Sequence, residues 1–123
     1  MPALAAAAGP SARTDHDHLQ GAWVSVAGPR EARLLVAGRR FTIELGGDIY
    51  MGTFDLTPGG MVMHIDAGPA KYVGAAAHCL YQLDSGVLRW CPGRPGSGRP
   101  PAAFPDVDDP RYLSLVFRRA ARR

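Results

Sequence analysis

No stretch of this 123-residue chain is long and apolar enough to cross a bilayer, so a membrane-spanning helix is excluded. Cysteine is scarce. Cys79 and Cys91 are the only two, they are not spaced Cys-x-x-Cys, and no paired histidine spacing completes a zinc set. That excludes a disulfide scaffold and leaves no metal site to expect. The sequence also lacks a phosphate loop, a Gly-x-Ser-x-Gly elbow and a dinucleotide fingerprint, so no cofactor is expected. Residues 1–8 are mildly apolar but have no basic n-region and are broken by Pro2, so a cytoplasmic protein without a secretory signal is expected. The net charge is only +3, and four of the positive charges are Arg118, Arg119, Arg122 and Arg123 at the chain end. No RNA motif or basic recognition helix accompanies them, so they read as a solvated end, with neither nucleic acid nor membrane as partner.

The chain does hold enough apolar residues, 46%, for one core, and its length suits one domain. Fifteen glycines and eleven prolines punctuate alternating segments, so they read as turns rather than low complexity. The scarcity of Lys, Asn and Ile beside Ala, Arg, Gly and Pro points to a GC-rich bacterial genome and says nothing of function.

Residues 1–13 read as a flexible leader. Thr14 or Asp15 can cap a short helix that Gly21 can end. Strand patterns follow over Ala22–Ala27, Ala32–Val36, Arg40–Leu45, Ile49–Leu56 and Met61–Asp66. Ala77–Leu83 and Val87–Cys91 form a hairpin, Pro92–Pro110 is a long Pro/Gly-rich loop, and Arg111–Arg119 is the last strand. The expected fold is therefore an all-β, antiparallel up-and-down barrel of about eight strands over 14–119. A short N-terminal helix plugs or flanks one end, and 120–123 is a basic tail.

Several phrases, in order, carry a resemblance: Leu19-Gln20-Gly21-Ala22-Trp23, Phe41-Thr42-Ile43, Gly52-Thr53-Phe54-Asp55-Leu56, Ile65-Asp66, Gly68-Pro69, and Tyr81-Gln82-Leu83-Asp84 running to Leu88-Arg89-Trp90-Cys91. Together they resemble an uncharacterised bacterial domain family, expanded in planctomycetes, with an LQGTW-type opening. The resemblance spans about residues 15–119 and implies a lipocalin-like barrel. It supplies no activity, because that family has no assigned catalytic set. His78 departs from the family pattern and is a candidate for chemistry particular to this chain.

Parity places Trp23, Phe41, Ile43, Tyr50, Phe54, Met61, Met63, Ile65, Leu113, Leu115 and Phe117 inside. Such a set either fills a small barrel or walls a cavity for a small apolar, aromatic or polyene-like molecule. Gly52 either leaves room for that molecule or marks a bulge. The expected ligand-binding residues are Trp23, Tyr50, Phe54, Met63, Tyr81 and Trp90, with Trp23 closing the floor near the helix. Tyr50, Tyr81, His78 and Arg89 are the candidates for donating a proton or polarising a carbonyl. His64 and Asp66 share an outward face and read as a surface pair. His16 and His18 diverge on a helix and do not make a metal pair.

The hairpin register at 84–86 has two versions, because a one-residue slip exchanges every partner. A two-residue Ser85-Gly86 turn gathers Tyr81, Leu83, Leu88 and Trp90 on one apolar face and is the version favoured. It sends Cys79 and Cys91 to opposite faces, where they stay reduced.

Three functions fit. The first is a barrel that binds a small apolar ligand. The second is a biosynthetic cyclase or isomerase of the same fold that acts by holding its substrate in a reactive shape. The third is a structural or interaction domain. A homodimer stays open.

Overall fold

The computed structural model describes residues 14–58, 60–105 and 113–120. The leader 1–13 and tail residues 121–123 lie outside them. Residues 14–19 form the short helix α1. Eight strands follow: β1 (Gly21–Ala27), β2 (Ala32–Ala37), β3 (Arg40–Leu45), β4 (Asp48–Thr57), β5 (Gly60–Ala67), β6 (Ala76–Asp84), β7 (Val87–Pro92) and β8 (Leu115–Arg119). Each pairs antiparallel with the next, and β8 returns to β1, so the sheet closes as an up-and-down barrel. Closure leaves no free sheet edge.

The alternation expected from sequence is the pattern of burial. On β3, Phe41, Ile43 and Leu45 are buried, while Arg40 and Glu44 are exposed. On β2, Ala32, Leu34 and Val36 are buried, and the residues between them are exposed. The same parity puts Phe54, Met61, Met63, Ile65, Leu115 and Phe117 inside.

The β6–β7 hairpin takes the two-residue turn. Asp84 pairs with Val87, Tyr81 with Trp90 and Leu80 with Cys91. Ser85 (φ 53°) and Gly86 (φ 80°) both take positive φ, as a twist-matched hairpin turn requires. Cys79 and Cys91 are both buried free thiols.

One expectation changes, and of the two readings of Gly52 the bulge holds. The last strand begins at Leu115 rather than Arg111; residues 111–112 lie outside the described residues. Gly28, just past β1, lies against this stretch: a Cβ there would sit 2.7 Å from the Ser114 carbonyl oxygen. Gly52 does not make room for a ligand. Met51 pairs with Ala67 and Gly52 with Ile65, so β5 bulges at Asp66. A Cβ on Gly52 would meet the His64 carbonyl oxygen at 1.7 Å, so the space is already filled by backbone.

Candidate functional site

In an up-and-down barrel the connections alternate between ends. The β2–β3 and β6–β7 turns share one end with α1. The β1–β2, β3–β4, β5–β6 and β7–β8 connections share the other.

The α1 end is solid. Leu19 is 1% exposed and inserts into the core. The Trp23 indole N–H donates to the Leu19 carbonyl at 2.9 Å. Gln20 clasps the β2–β3 turn: its amide donates to the Gly38 carbonyl at 3.0 Å and accepts from the Gly38 N–H at 2.7 Å. The Tyr81 hydroxyl donates to Asp15 at 2.7 Å, and His16 stacks on Phe54 with centroids 5.6 Å apart. Arg119 donates to the His18 and Gln20 carbonyls and lies over the Trp23 ring. Arg119 is thus a latch in β8 and not part of a solvated tail. The Leu19-Gln20-Gly21-Ala22-Trp23 phrase is, physically, the plug and its fastening. Only about 10 Å³ of void remains above it, among Leu19, Phe54, Met61 and their neighbours.

The other end is open. A half-open pocket of about 670 Å³ lies between the connections; Phe41, Ile43, Leu45, Tyr50, Met63, Ile65, Ala77, Trp90 and Leu113 line its inner side. The Pro92–Pro101 segment and Tyr72 line its mouth, together with Arg30, Arg94 and Arg99. The segment is held against β6: Gly93 N–H donates to the His78 carbonyl at 2.8 Å and Gly96 N–H to the Ala76 carbonyl at 2.9 Å. It requires glycine at 93, where a Cβ would sit 2.6 Å from the His78 oxygen and 2.8 Å from that of Arg99. Cys91 faces outward yet is fully buried.

The expected site residues are therefore divided between two ends. Tyr50, Met63 and Trp90 line the cavity. Phe54 lies beside the small void at the plug, and Trp23 is fastened to α1 through the Leu19 carbonyl. Tyr81 spends its hydroxyl on Asp15. His78 and Arg89 lie on the outer face; Arg89 donates to Gln82 at 3.3 Å and stacks over the Phe104 ring. His64 pairs with Asp55 across the ladder at 3.3 Å, not with Asp66, which reaches Arg40 at 3.6 Å. Asp55 also binds Arg39. Among the described residues, no three metal-ligating side chains come together. No helix among them is long and apolar enough to cross a membrane.

Of the four candidates for chemistry, only Tyr50 meets the cavity. Burial pushes its hydroxyl pKa up, reinforced by Asp48 and Tyr72 and opposed by Arg30. It is therefore a neutral donor at physiological pH. Its ring lies 6.3 Å from that of Tyr72. The buried Trp90 indole N–H has no hydrogen-bond acceptor; it acts on the Cys79 sulfur without reaching hydrogen-bond geometry. Burial pushes the Cys79 thiol up to about 12, with the Trp90 N–H opposing. The polar side chains lining the cavity are Tyr50, Tyr72, Ser97, Trp90 and the three arginines.

No family model, curated protein or solved structure matches this chain. Function is therefore read from the geometry of the site.

Sequence reasoning missed Arg30, Arg94, Arg99 and Tyr72. One signal was present. Odd-numbered connections of an up-and-down barrel converge on one end, and a long loop in a small domain tends to be a functional element.

Proposed function

We propose that this protein binds a small apolar molecule, aromatic or polyene-like in shape, inside the open half of its barrel. One observation supports the reading: a half-open pocket of about 670 Å³ lies at the end of the barrel opposite the plug, where only a small void remains. That volume lies within the range of small-molecule sites, roughly 300–1,000 Å³. Tyr50, Phe41, Tyr72 and Trp90 give flat apolar contact, and the Tyr50 hydroxyl can orient a ligand.

The described lining offers hydrogen-bond donors rather than groups that exchange protons near pH 7, so a cyclase or isomerase at this site would have to act by substrate positioning alone.

The test has two parts. Native mass spectrometry of the purified protein is expected to show a retained small molecule. A neutral apolar dye is expected to quench Trp90 emission and not that of Trp23, so Trp90→Phe removes the response and Trp23→Phe preserves it. A protein that retains nothing and gives no quench has no such site.

A further inference from the structure

The cavity mouth has a charge pattern that the apolar walls do not explain. Arg30 enters from the β1–β2 connection, and Arg94 and Arg99 from the segment after β7. All three are exposed. No aspartate or glutamate among the described residues joins them in the lining. Of the other described arginines, four are engaged: Arg39 by Asp55, Arg40 by Asp66, Arg89 by Gln82 and Phe104, Arg119 by the α1 carbonyls. At the mouth, no carboxylate among the described residues pairs with any of the three guanidiniums. The Arg30 stem packs beside the β3–β4 turn, where a Cβ on Gly46 would lie 3.4 Å from its Cδ. Its charge reaches the Tyr50 hydroxyl, on which Asp48 also acts from outside the lining.

Three like charges lining one opening, with no carboxylate of the described residues among them, repel each other. An anion at the mouth relieves that repulsion. Guanidinium is also suited to it, because its planar fork meets a carboxylate or phosphate with two parallel hydrogen bonds. Below the mouth the lining turns apolar: Phe41, Ile43, Met63, Ile65 and Trp90. A ligand matched to both zones has an apolar body and one charged end.

We propose that the ligand of this cavity is an anionic amphiphile, its apolar body among the barrel walls and its carboxylate or phosphate group held at the mouth by Arg30, Arg94 and Arg99. The proposal rests on the cavity reading and adds the sign and place of the ligand's charge. The Tyr50 hydroxyl, neutral and near Arg30, supplies a further donor to the same group.

The experiment displaces a neutral apolar dye from the protein with dodecanoate, dodecyl phosphate, dodecanol and dodecylamine, each below its aggregation concentration. Both anions are expected to bind about tenfold or more tighter than the alcohol, from a charge-assisted hydrogen bond or two. The amine binds weakest. The anion preference shrinks with added salt, because exposed charges are screened. The triple variant Arg30→Gln, Arg94→Gln, Arg99→Gln alters only exposed side chains, so it keeps its melting temperature and loses the preference for the anions over the alcohol. The order of the two anions names the headgroup. If the dye binds but anion and alcohol compete equally, or if the preference survives in the triple variant, the charge assignment is wrong and the cavity stands. If neither dye nor any amphiphile binds, the cavity reading itself fails, and this proposal with it.

Discussion

Replacing Gly52 by alanine tests the bulge that shapes the barrel wall. Gly52 does not have a left-handed φ, so alanine fits its backbone conformation. Such a replacement ordinarily stabilises, by about 0.4–1 kcal/mol, because alanine restricts the unfolded chain. The structure predicts the opposite sign. The new methyl would sit 1.7 Å from the His64 carbonyl oxygen, 2.9 Å from its carbon and 3.1 Å from the Asp66 nitrogen. All three are backbone atoms, so no side chain can swing aside. Strands β4 and β5 must part at the Gly52–Ile65 pairing. One or two ladder hydrogen bonds, each worth about 1 kcal/mol, are lost or stretched. Overpacking strain adds about 1–3 kcal/mol. The expected loss is therefore about 2–5 kcal/mol. Urea unfolding followed by tryptophan fluorescence measures it, with an unchanged m-value showing that two-state behaviour is intact. A neutral or stabilised Gly52→Ala would refute the close approach, and with it the placement of Asp66 in a bulge.

The remaining predictions concern the plug, the alkaline limit and the mouth segment. Leu19→Ala should cost about 2–5 kcal/mol by urea unfolding, because Leu19 is 1% exposed and almost no void surrounds it. Gln20→Ala should cost about 1–2 kcal/mol from its two bonds to Gly38; a cost below a few tenths for both would mean that α1 does not close the barrel. Burial raises the Cys79 thiol from an ordinary 9.0 to about 12, so the folded state keeps its proton where the unfolded chain has lost it. That contribution is complete below pH 9.0 and disappears as pH rises toward about 12, so stability falls across that window and Cys79→Ala flattens the fall. Tyr81 acts in the same direction above its ordinary 10.0, raised by burial and by Asp15, and Tyr81→Phe should soften the loss there. Both thiols should resist a maleimide in the folded protein and react on unfolding. Gly93→Ala, which pushes the segment away from His78 and Arg99, should expose Cys91 to the reagent while Cys79 stays protected.

The sequence makes the barrel legible because side chains alternate with period two, and a single buried interior punishes any slip. Phe41, Ile43 and Leu45 could face only inward, and the apolar match of Tyr81 and Leu83 with Leu88 and Trp90 selected the two-residue turn. Parity, however, tells inside from outside and not height along the barrel. Tyr50 and Tyr81 share an inward parity, yet one meets the cavity and the other is bound to Asp15 at the plug. Phe54 and Trp23 went to the plugged half for the same reason. Gly52 was ambiguous because its meaning depends on an extra residue in the neighbouring strand. Arg94 and Arg99 lie in an irregular segment with no period to read. Arg119, at the end of a strand, reads in sequence as one more solvated charge, because the helix it fastens is a hundred residues away in the chain.

Filling the open half tests the central claim most directly. Ala77 on β6 lines the cavity opposite Met63 and is 6% exposed. In Ala77→Trp the new ring should enter the empty space, so titration with a neutral apolar dye should show one site in the parent protein and none in the variant, with the melting temperature held or raised. A variant that binds the dye as well as the parent, or one that unfolds because no room was there, would contradict a ligand cavity in this barrel.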